Sequence, residues 1–293
     1  MVSAMTQHAP RDPDESGPVA YLVPDGNRYA PTWIAQGPWG STIAGQVVGG
    51  LLAWSLERAA GDPDLQPARL TVDLLRPVAL EPVAVETSIR REGRRMRLAD
   101  ALLTQNGAVV ARASALFLRR AQQPAGQVWS APVTMPPLPP EPDELPATMP
   151  MLIHTFGWGA DSTTPDPRNP TYQNTSAPKF AWLREARPLL EGQPLTPFTR
   201  AAMAGDVVSS LSHWGTNGLR YINADYTLTL SRLPDGEYIG LAALTHYSSD
   251  GVASGTATVS DELGPIGTGV ATALVNPGFR SPFQNSQGGR RGT

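Results

Sequence analysis

Two matched positions in this chain carry different functional groups. The segment Ile43-Ala44-Gly45-Gln46-Val47-Val48-Gly49-Gly50-Leu51-Leu52-Ala53-Trp54 returns 160 positions later as Met203-Ala204-Gly205-Asp206-Val207-Val208-Ser209-Ser210-Leu211-Ser212-His213-Trp214, with six of the twelve positions identical. Where the first copy has Gln46, the second has Asp206. A carboxylate on a helix can take a proton from water or fix a water in place, and backbone N–H groups beside it can face a developing negative charge. A carboxylate near a helix start also simply stabilises that end. Both readings apply to Asp206, which falls early in its predicted helix. Gln46 has no base to offer; its amide either polarises a carbonyl or is a satisfied buried group. His213 lies seven residues after Asp206, two turns along the same face, and is expected to be structural.

A second concentration of chemistry is Arg90, Arg91, Arg94, Arg95 and Arg97 around one turn. Guanidinium forks bind phosphate bidentately. The competing reading is a solvated hairpin balanced by acidic neighbours such as Glu92.

These residues need elements to hold them, and an internal repeat fixes the architecture before anything else. Gly37-Pro38-Trp39-Gly40 breaks the chain, after which Ser41 or Thr42 can cap a helix. From 43 to 60, Ile43, Val47, Leu51 and Trp54 recur at helical spacing, with Trp54 and Trp214 expected in the core. Gly45, Gly49 and Gly50 each lower helix propensity by roughly 1 kcal/mol. They make sense where the helix packs closely on a sheet or is approached by a ligand. Strands are predicted at 70–75, 83–90, 98–104 and 109–118, with turns near Gly93 and Asn106-Gly107, and a hairpin turning at Asp25-Gly26 precedes the helix. The second copy has a helix around 199–214, then strands at 223–230, 238–246 and 266–275, with turns at Gly251 and Gly264. A helix followed by strands in hairpins is an α+β unit, used here twice. The units are expected at 18–120 and 151–278. A Pro-rich linker at 121–150 joins them, 159–178 is irregular, and 1–17 and 279–293 are disordered tails.

Composition excludes several function classes. With 293 residues, 41% hydrophobic and 17% charged, the chain has the material for a real core. A net charge of −3 argues against a general nucleic-acid binder. There are no cysteines, and the four histidines (His8, His154, His213, His246) have no metal-ligand spacing, so neither a disulfide nor a zinc site is expected. There is no basic start followed by an apolar run, and no apolar segment reaches the roughly 18 residues of a membrane span. The expectation is a soluble cytoplasmic protein.

Several segments together carry a resemblance. Gly37-Pro38-Trp39-Gly40 before Ala44-Gly45-Gln46-Val47, then Leu70-Thr71-Val72-Asp73-Leu74-Leu75-Arg76-Pro77, look like the opening of the acyl-CoA thioesterase II family. Arg90-Arg91-Glu92-Gly93-Arg94-Arg95 is similar to that family's Arg-rich turn, and Phe180-Ala181-Trp182-Leu183-Arg184 and the helix bearing Asp206 also fit. The resemblance spans about residues 20–278. It implies a tandem (double) hotdog fold, in which two long helices are each wrapped by an antiparallel sheet. It also implies hydrolysis of an acyl-CoA thioester to free acid and coenzyme A by a positioned water, without a covalent intermediate. Carried over position by position, the family's catalytic Asp is Asp206, its hydroxyl position is Asn223, and its Gln position is Thr272, or Ala271 if the match shifts by one. Gln46, Gly45 and Gly205 would adjoin the substrate, and Arg90, Arg91, Arg94 and Arg95 would meet the phosphates of coenzyme A. The resemblance implies no cofactor and no metal; the acyl-CoA is the partner, and further homo-oligomerisation is plausible. Two other readings stay open: an acyl-CoA or acyl-carrier binding protein without turnover, and an enoyl-CoA hydratase of the same fold. The second is disfavoured because no His follows Asp206 at a spacing of five; Leu211 stands there.

Overall fold

The computed structural model describes residues 20–130, 133–142, 145, 149–157 and 178–276. The two expected tails and nearly all of the irregular stretch 159–178 lie outside these residues. A hairpin, β1 (Leu22–Asp25) and β2 (Arg28–Pro31), opens the described chain and turns at Asp25-Gly26, where Gly26 takes a φ of +62°. Helix α1 (Gly45–Ala60) follows, then β3 (Leu65–Leu74), β4 (Ala84–Glu92), β5 (Met96–Gln105) and β6 (Ala108–Arg119). After the Pro-rich stretch come β7 (Met151–Phe156), β8 (Phe180–Glu185) and helix α2 (Pro197–His213). The short strands β9 (Trp214–Gly215), β10 (Gly218–Leu219) and β11 (Tyr221–Asn223) lead into β12 (Asp225–Leu230), β13 (Ile239–Ser249), β14 (Val252–Asp261) and β15 (Gly264–Val275).

Most strands join one antiparallel sheet of eleven, ordered β4-β5-β6-β3-β12-β15-β14-β13-β8-β7, with β11 also paired to β15. The order is that of a repeat: β3 lies beside the last strand of its own copy, β6, and β12 lies beside its counterpart β15. The copies meet where β3 pairs with β12, Val72 opposite Tyr226 and Leu70 opposite Leu228. Alternation puts those four side chains in the core, while Thr71 and Thr227 share a hydroxyl bond of 3.0 Å on the other face. The tight turns expected at Asn106-Gly107 and Gly251 form with positive φ at Asn106 and Gly107 and at Asp250 and Gly251.

Both helices lie on the buried face of this sheet. Leu51, Leu52 and Leu56 of α1 and Phe198, Met203 and Leu211 of α2 are buried in one continuous core. The helices run antiparallel, because Gly45 of α1 meets Asp206, Gly50 meets Met203, and Glu57 accepts a hydrogen bond of 2.6 Å from Thr196 at the start of α2.

The helices start differently, and here the sequence reading needs correction. Neither Ser41 nor Thr42 caps α1. Thr42 is held in a bridge to Ala79, and the cap position is Ala44, with no side-chain hydrogen bond. By contrast, α2 begins at Pro197, and the Thr196 hydroxyl accepts the N–H of Thr199 at 3.1 Å. Asp206 is therefore the tenth residue of a 17-residue helix, not one near its start. The Pro-rich stretch is not wholly apart from the units either: the Trp182 ring N–H donates to the Pro136 carbonyl at 2.9 Å, and Arg184 pairs with Glu141.

Candidate active site

Asp206 sits on the interhelical face of α2 and meets the first turn of the opposite helix. A Cβ placed on Gly45 would lie 2.5 Å from its Oδ1, so only glycine lets the carboxylate come this close to the α1 backbone. The Gln46 backbone N–H hydrogen-bonds this carboxylate. Asn223, on β11, donates its side-chain N–H to Oδ1 at 2.9 Å. The first N–H groups of a helix have no partner within it and carry a partial positive charge. With Ala44 unable to cap α1, the carboxylate of the other helix takes over one of those groups.

Two opposing effects set the proton affinity of Asp206. Burial pushes its carboxyl up from 3.8 to about 6, and the hydrogen bonds from Asn223 and Gln46 hold it lower than burial alone would. A carboxylate poised there is ionised at neutral pH yet basic enough to accept a proton from water. Beneath it lies Tyr226 of β12, fully buried, whose hydroxyl is held well above its ordinary value by burial and by the charge of Asp206.

The other candidates divide. Asn223 and Gly45 join Asp206. Gln46 contributes its backbone, while its side-chain amide turns away and donates to the Tyr21 hydroxyl at 3.4 Å. Gly205 faces the Tyr226 ring, whose Cε2 would be 2.8 Å from an added Cβ, so it is covered by protein. Thr272 is not brought to Asp206. It lies on the exposed face of β15, where its N–H and hydroxyl both donate to Asp225 Oδ1, at 2.8 and 2.5 Å. Its neighbours Ala271 and Ala273 take the buried face, because strand side chains alternate. The position facing the helices thus carries only a methyl group.

The four arginines are exposed at the β4–β5 hairpin. Arg90 donates to Asp100 at 2.7 Å, the Arg94 carbonyl accepts from Arg119, and the neighbouring Arg97 pairs with Glu92. No contact among the described residues links Arg90, Arg91, Arg94 or Arg95 to Asp206. His213 is 4% exposed, its Nδ1 lying 2.8 Å from Nδ1 of His246 and its ring against Tyr221, and burial pushes it down to about 4. It is therefore neutral at physiological pH, in keeping with its structural reading.

Sequence reasoning missed a second carboxylate. Glu185, on β8, accepts the Tyr21 hydroxyl at 2.5 Å, and its carboxyl is pushed by burial from 4.5 to about 7, with Arg200 opposing the rise. Tyr21, Gln46 and Glu185 come from three distant parts of the chain, so no local spacing announces them.

Among the described residues no helix is long and apolar enough to cross a membrane, and no cluster of three His, Asp or Glu side chains could hold a metal. Comparison with protein families matches residues 31–118 to the acyl-CoA thioesterase N-terminal domain and residues 132–275 to the acyl-CoA thioesterase C-terminal domain. Curated protein sequences give no match. Among solved structures, a tesB protein of Mycobacterium avium is 16% identical with a TM-score of 0.63, covering 87% of this chain and 96% of its own. A hot dog fold protein of unknown function from Alicyclobacillus acidocaldarius is 18% identical with a TM-score of 0.63, covering 87% and 95%. Acyl-CoA thioesterase II TesB2 of Mycobacterium marinum is 18% identical with a TM-score of 0.58, covering 88% and 95%. At these identities the likeness speaks for the fold.

Proposed function

The chain belongs to the acyl-CoA thioesterase family, whose N- and C-terminal domains it carries in order, and from that premise we propose that Asp206 drives hydrolysis of an acyl-CoA thioester at the start of α1. The two copies of helix and sheet, joined through β3 and β12, support a double hotdog arrangement within one chain. One observation carries the reading: a carboxylate raised to about 6 sits against a helix N-terminus with no side-chain cap of its own.

In this mechanism Asp206 accepts a proton from water as the water oxygen bonds to the thioester carbonyl carbon. The negative charge that grows on the carbonyl oxygen is met by the positive end of α1, at the N–H groups of its first turn. Asn223 keeps the carboxylate turned toward the water through its 2.9 Å hydrogen bond, and its own carbonyl can accept a hydrogen bond from the water's other O–H. Collapse of the tetrahedral adduct breaks the carbon–sulfur bond, and the proton on Asp206 passes to the departing sulfur of coenzyme A. No metal or cofactor enters any step. A positioned base contributes on the order of 10²- to 10⁴-fold and an oxyanion donor about 10²- to 10³-fold. Release of coenzyme A, followed with a thiol reagent over a panel of acyl-CoAs, tests the proposal. The matched Asp206→Asn protein should lose at least about 10³-fold in kcat. Full activity in that variant would remove Asp206 from its role.

A further inference from the structure

Helix α1 starts in a way that favours fraying, yet its first turn has to hold still against Asp206. Its cap position, Ala44, makes no side-chain hydrogen bond, its first residue is Gly45, and its first turn has no acidic side chain. Gln46 is the one polar side chain in Gly45-Gln46-Val47-Val48. Its amide donates to the Tyr21 hydroxyl at 3.4 Å, while its backbone N–H meets Asp206. A single residue thus connects that carboxylate to Tyr21.

Tyr21 is a fixed point. It is 1% exposed, its N–H donates to the Pro188 carbonyl at 3.0 Å, and its carbonyl accepts the Thr32 N–H at 2.9 Å. Its hydroxyl reaches Glu185 Oε2 at 2.5 Å and the Pro150 carbonyl at 3.1 Å. Burial and the charge of Glu185 hold that hydroxyl well above its ordinary value, so it stays protonated and donates. Glu185 is held in turn by β8, which pairs with β7 and β13 in the large sheet. Arg200, six residues before Asp206 on α2, acts on Glu185 with the opposite charge. The circuit from Glu185 through Tyr21 and Gln46 to Asp206 therefore closes on α2 at both ends.

We propose that Tyr21 is a positioning residue for thioester hydrolysis: anchored by Glu185, it holds the Gln46 side chain and so fixes the first-turn N–H groups of α1 against Asp206. The inference rests on Asp206 acting at the thioester carbonyl beside those groups. A displacement of about 1 Å at a reacting centre costs on the order of 10²-fold in rate, so such an anchor acts on kcat rather than on KM. Glu185 needs only an oxygen that accepts from Tyr21. Its carboxyl, raised by burial to about 7, has one whether ionised or protonated, so the anchor holds through that titration.

The test pairs kinetics with amide exchange in the full chain. Tyr21→Phe removes one oxygen and keeps the buried ring. It should lower kcat at least about tenfold and change KM by less than about twofold, with circular dichroism matching wild type. Gln46→Leu should do the same, and it carries the test alone should Tyr21→Phe not fold. The double variant should lie within about twofold of either single variant, because both break one chain of contacts. Glu185→Gln, which keeps a carbonyl oxygen for Tyr21, should retain kcat within about threefold, whereas Glu185→Leu should fall as Tyr21→Phe does. Unchanged kcat in the folded variants, a change confined to KM, or losses that multiply in the double variant would overturn the proposal. If wild type hydrolyses no acyl-CoA, the hydrolysis reading fails, and exchange of the Gln46 backbone amide, followed by NMR, decides the anchor on its own. Tyr21→Phe or Gln46→Leu should speed that exchange at least about tenfold while amides in the last turn of α1 keep their rates. An unchanged rate at Gln46 would remove the anchor.

Discussion

The two copies of the central helix share half of the aligned residues in their repeated segment, yet they differ in where they begin. In α1 the matched segment is the helix start, so Gly45 and Gln46 present first-turn N–H groups. In α2 the same segment is preceded by Pro197-Phe198-Thr199-Arg200-Ala201-Ala202, already helical behind a Thr196 cap. The N–H groups of Gly205 and Asp206 lie in the helix interior, where they serve the backbone ladder. One helix contributes an open positive end and the other a carboxylate to meet it. The Gln46-for-Asp206 difference is therefore more than an amide in place of a carboxylate. A carboxylate at 46 would face the Tyr21 hydroxyl beside Glu185, with no open helix end to share an oxyanion with.

Exchanging the two groups probes that asymmetry most severely. The double variant Gln46→Asp, Asp206→Gln should remain at least about 10³-fold below wild type in thioester hydrolysis, because the base would then lack a helix end beside it. Recovery of activity would show that the helix starts do not matter. Next in size, Gly45→Ala should lower kcat by about 10²-fold, since its Cβ would displace the Asp206 carboxylate. The pH dependence separates the role of Asp206 from that of its surroundings. Hydrolysis should rise with pH and level off above about 6, where Asp206 is ionised, and circular dichroism across the same range should show the fold unchanged.

Stability should respond in the opposite sense. A carboxyl whose folded value is raised from 3.8 to about 6 binds more protons folded than unfolded between those values, so its contribution to stability falls as pH rises through that window. Asp206→Asn should therefore stabilise the fold by about 1–3 kcal/mol at pH 8 and by little near pH 4, as read by urea denaturation. Smallest of all, Thr272→Ala should change kcat by less than about twofold. The only described partner of its side chain is Asp225, on the exposed face of the sheet.

The duplication, the helix pair and most strands were legible because periodicity and turn residues are local signals. Asn106-Gly107 and Asp25-Gly26 turn where their chemistry says they should. The early start of α2 was legible too, in Thr196-Pro197 with Thr199 three residues beyond the cap. That signal lies outside the repeated segment, two residues before the predicted start at about 199. Asp206 and Asn223 could be placed from the resemblance, and the structure brings them together. Thr272 could not, since a strand position one residue off faces the opposite side of the sheet. Glu185 and Tyr21, 164 positions apart, were beyond reach because burial and pairing between distant segments leave no periodic trace. The packing beside Asp206 depends likewise on Tyr226 against Gly49 and Gly205, three residues on three different elements.

The seam between β3 and β12 gives this arrangement a genetic meaning. Two identical subunits related by symmetry would carry the same residue at both matched positions and the same start on both helices. They would then have either two open ends without a carboxylate or two carboxylates without an open end. Joining the copies in one polypeptide gives each position its own codon, so one helix could lengthen while the other kept its bare start. Replacing either half with a second copy of the other would preserve the sheet and erase the site.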